Sequence, residues 1–245
     1  MKKNLFILHF ILLAVLGFAQ NIYVSSDGYF FYNFSDDFSE YTLSTLENPE
    51  KTFNKITCFE KSSISFWKLD ETEYVKFQAD DYFVLKNEEK QFVFVKDGKL
   101  NEYWQKNREI AGIYQASSEK RMFNQIYDVY NLLYFTFTPW IPNSENYGIG
   151  ETISFESTKN IKSFRIINGF VDINNPSNFE KYGKAKKINV YSKDKILLAT
   201  FDIENSANIQ TFILPFEVSY LTLEILEVYK GTENKNLAIT TLQFF

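Results

Sequence analysis

The chain has 245 residues, a formal net charge of −5, one histidine and one cysteine. Because an acidic chain repels phosphate backbones unless it carries a local basic patch, nucleic acid is not an expected partner. Cys58 cannot form an intramolecular disulfide and is expected to be a small buried apolar residue rather than a reactive thiol. Aromatic residues make up 18% of the chain, while glycine and proline are few, a composition typical of all-β folds.

Residues 1–19 have the three-part layout of a secretory signal peptide. Lys2 and Lys3 precede an apolar run from Leu5 to Leu16, and Ala19 ends a small-residue pattern. The run is shorter than the roughly twenty residues that a membrane-spanning helix requires, so a retained anchor is the less favoured alternative. We expect cleavage after Ala19, export to the periplasm or the medium, and no transmembrane segment in the mature chain.

The first 19 residues also contain His9, the only histidine of the chain. The mature chain therefore cannot carry out Ser-His-Asp or Cys-His catalysis, and it cannot build a histidine-based zinc site. We expect no cofactor and no metal site. Calcium stays open, because acidic loops are present without the spacing of an EF-hand.

Residues 20–108 predict a small β domain of about six short strands. Its clearest element is a hairpin with strands at 81–86 and 91–96, joined by a polar turn. Phe83 and Leu85 alternate with other residues at the period of two expected of a sheet with one buried face. The following stretch, 101–107, fits a linker, a short helix between domains, or the last element of this domain.

Residues 109–245 predict a second, larger β domain. Seven apolar runs give strand candidates, and an eighth, weaker run lies at 132–137, which together fit a jelly-roll sandwich. Leu221, Leu223 and Ile225 are expected to face its core. The only helix we expect in this domain lies at 121–130. The seven strong candidates are 152–156, 161–167, 187–191, 196–202, 209–214, 220–228 and 237–244.

Several short motifs in the second domain carry a family resemblance, and they occur in one order along the chain. They are Ala116-Ser117-Ser118, Asn131-Leu132, Pro139-Trp140, Gly148-Ile149-Gly150-Glu151, Asn168-Gly169-Phe170, the segment 182–187 and Tyr229-Lys230-Gly231. In these motifs the chain resembles the NADase-type glycan-binding domain, a discoidin-like, galactose-binding-like β-sandwich. The resemblance implies a secreted, non-catalytic, carbohydrate-binding protein.

The candidate ligand-binding residues come from these motifs: Trp140, Glu151, Asn168, Tyr182, Lys184 and Lys186. Each also has a structural alternative. The tryptophan can stack on a sugar or close one end of the sandwich, the glutamate can accept sugar hydroxyls or anchor its loop through backbone amides, and the asparagine can read a sugar or shape a turn. The lysines can bind an anionic glycan or form a solvated strand edge.

The chain departs from the family pattern at two places. The segment 182–187 keeps basic character but has no arginine, and lysine cannot reproduce the bidentate geometry of a guanidinium. The family's acidic, cysteine-bearing segment near the C-terminus is replaced by 236–240. A ligand that depends on those groups is therefore not expected to bind this chain.

Two other classes of function stay open. One is an adhesion or structural protein that binds a protein partner through the same sandwich or through the first domain. The other is a hydrolase that uses carboxylates alone, for which the sequence offers the pairs Asp36-Asp37, Asp80-Asp81 and Asp202-Glu204. Adjacent strand residues point to opposite faces, so only the third pair is well placed for joint chemistry.

Overall fold

The computed structural model describes residues 21–45, 52–122 and 124–245. The predicted signal peptide lies outside these ranges. Within them, no helix is long and apolar enough to cross a membrane. The helices are Leu100–Lys106 and Asn178–Lys181, with a 3-10 helix at Val129–Leu132. The strands are β1 Asn21–Ser25, β2 Phe30–Phe34, β3 Glu40–Thr45, β4 Thr52–Lys61, β5 Ile64–Leu69, β6 Thr72–Gln78, β7 Tyr82–Lys86, β8 Gln91–Lys96, β9 Ile113–Ala116, β10 Lys120–Met122, β11 Gln125–Tyr127, β12 Thr152–Asn168, β13 Lys184–Tyr191, β14 Leu197–Asp202, β15 Gln210–Tyr229 and β16 Ile239–Phe244.

The first eight strands form a closed antiparallel barrel, in which β1 pairs with both β2 and β8. The predicted hairpin is confirmed as β7 and β8, with Phe83 opposite Phe94. The barrel interior is filled by aromatic rings, and the rings of Phe83 and Phe94 stack 4.7 Å apart. The sequence indicated about six strands rather than eight because strands such as β1 and β3, of five and six residues, are too short for a clear pattern.

Strand β7 is buried on both faces, which the sequence interpretation of a sheet with one buried face missed. Phe83 and Leu85 face the barrel interior, whereas Tyr82 and Val84 belong to a second apolar cluster on the outside of the barrel. That outer face is covered by the C-terminal sheet. The Tyr82 and Val84 side chains, which a sheet with one buried face would expose to solvent, therefore pack against the second domain.

The second half of the chain forms one sheet of order β14-β13-β15-β12-β16, with β9 paired to β12. The candidates at 152–156 and 161–167 join into β12, and those at 209–214 and 220–228 join into β15. Both halves of β12 contribute to one core, and the rings of Phe155 and Phe244 stack across it 4.2 Å apart. Because the register is irregular between Glu156 and Ser163, the sheet folds over itself into a sandwich.

The alternation predicted in β15 is confirmed, since Leu221, Leu223 and Ile225 are all buried in the sandwich core. The predicted helix at 121–130 is wrong. Its described residues belong to the hairpin β10–β11 and to the start of the 3-10 helix, whose first turn is capped by the Asp128 carboxylate. The weak run at 132–137 is not a strand, because Leu132 ends the 3-10 helix and residues 133–137 form a turn and a bend. Cys58 is exposed, contrary to expectation.

The barrel and the sandwich share an apolar interface. Phe77 and Val84 on the barrel pack in one cluster with Ile167 and Val171 of the sandwich. A backbone hydrogen bond from the Ile209 N–H to the carbonyl of Gln78, 3.0 Å long, also joins the two units. Separation of the units would therefore expose apolar surface on both sides.

We propose a domain boundary near residue 108 and expect a fragment of residues 109–245 to fold with reduced stability. Its own core is complete, and the Ile110 N–H already donates to the carbonyl of Phe244 at 2.8 Å. However, the fragment exposes Ile167 and Val171, which the barrel covers, and apolar surface costs about 25 cal/mol per Å². Thermal unfolding should give a lower midpoint than the full-length protein, with increased binding of an apolar dye. Equal midpoints would contradict the energetic role of the interface.

Candidate functional site

Three loops converge at one end of the sandwich, which we call the loop end. Trp140 and Gly169 both form bridges to Ile239, and Gly183 forms a bridge to Leu237. The bridges join the loop before β12, the loop between β12 and β13, and the loop between β15 and β16. Because strands hold all three in fixed relation, this end is a rigid platform of the kind that carries binding residues.

The glycines of the Gly148-Ile149-Gly150-Glu151 motif are turn residues. Gly148 and Gly150 have φ angles of 82° and 84°, a conformation that other residues adopt only with strain. A side chain at Gly148 would also meet Leu237 at 3.0 Å. The pair therefore shapes the entry into β12 and brings this loop against the segment before β16.

Trp140 is 0% exposed and closes the loop end from inside the core. Its indole N–H donates to the carbonyl oxygen of Ser118 at 3.1 Å. With no accessible face, the ring cannot stack on a ligand in this structure. The structural alternative accounts for its position, and we do not carry it into the proposed site.

Glu151 anchors the loop end through hydroxyl groups rather than backbone amides. The hydroxyls of Ser117 and Ser118 both donate to its carboxylate, the second at 2.7 Å. The Ser118 hydroxyl also accepts the N–H of Asn143 at 3.0 Å. This network explains why an Ala-Ser-Ser motif and a glutamate occur together in the chain.

Asn168 is fully buried, and its amide is used within the protein. Its Nδ2 donates to the carbonyl oxygens of Ala185 at 2.7 Å and Glu204 at 3.3 Å. Its Oδ1 accepts the N–H of Ala185 at 2.9 Å. The side chain ties the end of β12 to β13 and has no access to a ligand.

The basic cluster is also committed to contacts inside the protein. Lys184 is 4% exposed, its ammonium donates to the carbonyl of Phe179 at 2.7 Å, and burial lowers its pKa. Lys186 is exposed but pairs with Glu227 at 2.9 Å, and Lys187 pairs with the same carboxylate at 3.1 Å. A neutralised cluster gives weak attraction for an anionic glycan.

An aromatic cluster lies at the loop end, and we call it the loop-end aromatic cluster. It consists of Tyr127, Phe170 and Tyr182, with the ring centres of the two tyrosines 6.1 and 5.0 Å from that of Phe170. Phe170 is buried, whereas both tyrosines are half-buried. Burial raises the pKa of both tyrosines, and neither hydroxyl has a hydrogen-bond partner in the described part of the chain.

The negative charge of Asp172 further raises the pKa of Tyr127, so this carboxylate lies within electrostatic range of the cluster. The carboxylate accepts hydrogen bonds from the backbone N–H of Asn174 at 2.9 Å and from the side chain of Asn178 at 3.1 Å. Two ring edges and two hydroxyls without partners are suited to a polar ligand with apolar patches, while each Asp172 oxygen already accepts two hydrogen bonds from Asn174, Asn175 and Asn178. No trio of His, Cys, Asp or Glu that could hold a metal occurs among the described residues.

Of the six sequence candidates, only Tyr182 is part of this cluster. Phe170 belongs to the Asn168-Gly169-Phe170 motif, but Asn168 is the residue of that motif that the sequence indicated as the candidate ligand-binding residue. Tyr127 was missed because it fell inside the helix predicted at 121–130. Asp172 follows that motif by two positions, and a polar residue just after a turn is the signal that could have indicated it.

The acidic pairs do not form a catalytic arrangement. The Asp37 carboxylate accepts the backbone N–H of Ser39 and two serine hydroxyls in a surface turn, which lowers its pKa to about 2. Asp202 and Glu204 are both exposed, and Asp202 lies 3.6 Å from Lys187.

The fold is that of a discoidin-like β-sandwich attached to a small barrel. The chain belongs to the NAD glycohydrolase translocation F5/8 type C domain family, whose sequence pattern matches residues 103–245. The family resemblance and the all-β fold predicted from the sequence are thus confirmed. No curated protein sequence is similar enough to the chain to count as a relative.

Solved structures with a similar fold include three carbohydrate-binding modules of family 32. One, from Clostridium perfringens NanJ in complex with galactose, is 13% identical, with a TM-score of 0.40 over 54% of this chain and 92% of that one. Another, from Streptococcus pneumoniae EndoD, is 12% identical, with a TM-score of 0.41 over 56% and 98%. A third, from Clostridium perfringens in complex with GalNAc-β-1,3-galactose, is 17% identical, with a TM-score of 0.40 over 55% and 94%.

Proposed function

We propose that this protein binds carbohydrate noncovalently at the loop-end aromatic cluster. The observation that carries the proposal is the pair Tyr127 and Tyr182, both half-buried against Phe170, with hydroxyls that have no hydrogen-bond partner among the described residues and with the Asp172 charge acting on Tyr127. Sugars present apolar C–H faces and dense hydroxyl groups. Tyrosines and a fixed carboxylate complement both features at low cost in side-chain entropy.

The local charges favour a neutral glycan over an anionic one. The Asp172 charge acts on Tyr127, where it raises the pKa, while Lys186 and Lys187 both pair with Glu227 and Lys187 also pairs with Asp202. An anionic sugar would approach the Asp172 carboxylate at short range, which is unfavourable, whereas Lys120, opposite Tyr127 on β10, would offset part of that repulsion. The expectation of an anionic ligand from the sequence is therefore not part of this proposal.

The proposal also includes export of the protein and a binding role without catalysis. The layout of residues 1–19 supports removal of a signal peptide and delivery to the periplasm or the medium. Acidic pairs that lie in surface turns or pair with lysines support a binding role rather than hydrolysis. The barrel would then present the sandwich to its ligand.

Alanine at Tyr127 or Tyr182 is expected to weaken glycan binding by about tenfold or more, since buried aromatic contacts dominate such interfaces. A glycan array with residues 20–245 should first identify the sugar, and titration of that sugar then compares the variants. Tyr220→Ala is the matched control. Tyr220 is also half-buried, but it pairs with Glu156 far from the loop end.

Unchanged affinity in both loop-end variants would refute this site, and no binding to any glycan would refute the function. A protein partner is the second candidate, because Ile213 and Phe216 expose large apolar side chains on β15. Association that Phe216→Ser abolishes and Tyr182→Ala preserves would favour that candidate.

A further inference from the structure

A cavity of about 160 Å³ lies between the barrel, the helix Leu100–Lys106 and the sandwich, away from the loop-end aromatic cluster. Tyr82 of the barrel and Tyr103 of the helix form one side. Arg165 and Thr241 of the sandwich form the other. Cavities of about 150 Å³ can hold a molecule the size of benzene, so this one has room for a small ligand.

Arg165 brings a cation to this cavity, where Glu109 is close enough to interact with it through charge but forms no ion pair with it. No carboxylate of the described residues is in ion-pair contact with it, and its one side-chain hydrogen bond runs from Nε to the Thr211 hydroxyl at 3.3 Å. The guanidinium lies over the rings of Phe245 and Tyr82, 4.3 and 5.3 Å from their centres. Such a partly buried guanidinium normally pairs with a carboxylate or a phosphate.

Two buried hydroxyls at the same cavity have no hydrogen-bond partner. Tyr82 is 8% exposed and Thr241 is 2% exposed, and neither hydroxyl bonds to any described residue. Buried hydroxyls are nearly always satisfied, so these two groups lack an acceptor, and one that enters the cavity reaches their enclosed oxygens only with a local shift of the cavity wall. An acceptor that carries negative charge would satisfy Arg165 as well.

We propose that this cavity binds a small monocarboxylate, whose carboxylate pairs with the Arg165 guanidinium and accepts hydrogen bonds from the Tyr82 and Thr241 hydroxyls. Phe135 and Phe245 supply apolar wall for the rest of the molecule. The site is independent of glycan recognition, and it joins residues from both structural units. Its occupation therefore stabilises the contact between barrel and sandwich.

The charges around the cavity favour a monoanion over phosphate or sulfate. Glu109 lies at the rim, where its carboxylate accepts the side-chain N–H of Gln243 at 3.1 Å. A dianion would face this acid with only one arginine to balance it. The planar, bidentate match between guanidinium and carboxylate further favours a carboxylate.

The test uses full-length mature protein and the probes acetate, butyrate and benzoate, each compared with chloride at equal ionic strength. We expect at least one carboxylate to raise the thermal unfolding midpoint in a saturable manner, since a ligand of the native state stabilises it. Arg165→Gln should abolish the shift. Arg121→Gln is the control, because Arg121 is exposed on β10.

A second variant, Tyr82→Phe, keeps the ring and removes only the hydroxyl, so it should fold and bind the carboxylate about tenfold more weakly. The proposal is overturned if no carboxylate exceeds chloride, if sulfate shifts the midpoint equally, or if Arg165→Gln responds as the wild type does. A wild-type response in Tyr82→Phe would remove that hydroxyl from the site. None of these results affects the glycan array.

Discussion

Replacing Trp140 by alanine is expected to lower the free energy of unfolding by about 3–5 kcal/mol. The side chain is fully enclosed in the sandwich core, and its removal leaves a large cavity together with an unpaired carbonyl at Ser118. A loss of this size is a large part of the stability of a typical domain. Denaturant unfolding followed by circular dichroism measures it.

Trp104→Ala is the matched control for this experiment. Trp104 lies on the helix Leu100–Lys106 with half of its surface exposed, so its loss should cost much less. If Trp140→Ala instead keeps wild-type stability and loses glycan binding, the ring faces a ligand, and its assignment to the sandwich core is wrong.

Replacing Asn168 by alanine is expected to cost about 3 kcal/mol or more. The substitution breaks three hydrogen bonds and leaves buried groups of Ala185 without partners, each unsatisfied group costing about 1–3 kcal/mol. Asn168 ends β12 and Ala185 lies in β13, and both strands are held in the sheet, so the structure can relax little around the substitution. Denaturant unfolding again measures the change.

Asn101→Ala is the control for the buried amide. Asn101 is exposed on the helix Leu100–Lys106, where alanine should change stability by less than about 0.5 kcal/mol. Equal effects of the two substitutions would contradict the buried network. If the Asn168→Ala variant is as stable as the wild type but no longer binds glycan, Asn168 contacts the ligand, and its assignment to a structural role is wrong.

Part of the candidate site could be predicted from the sequence. The motif order led to the loop end and to Tyr182, because turn residues and strand ends are local signals. Lys184 and Lys186 looked equivalent in the sequence, yet one is buried over Phe179 and the other is exposed. Alternation shows that neighbouring residues face opposite sides but not which side is covered.

The sequence by itself determined the all-β class, the hairpin β7–β8, the core-facing set in β15 and the family to which residues 103–245 belong. Only the tertiary structure decided that Trp140 and Asn168 point inward, that Tyr127 joins Tyr182, and that Arg165 meets a cavity against the barrel. The physical reason is the separation along the chain over which each kind of interaction acts. Turns and periodicity arise between near neighbours in the chain, whereas burial and pairing depend on contacts between segments far apart.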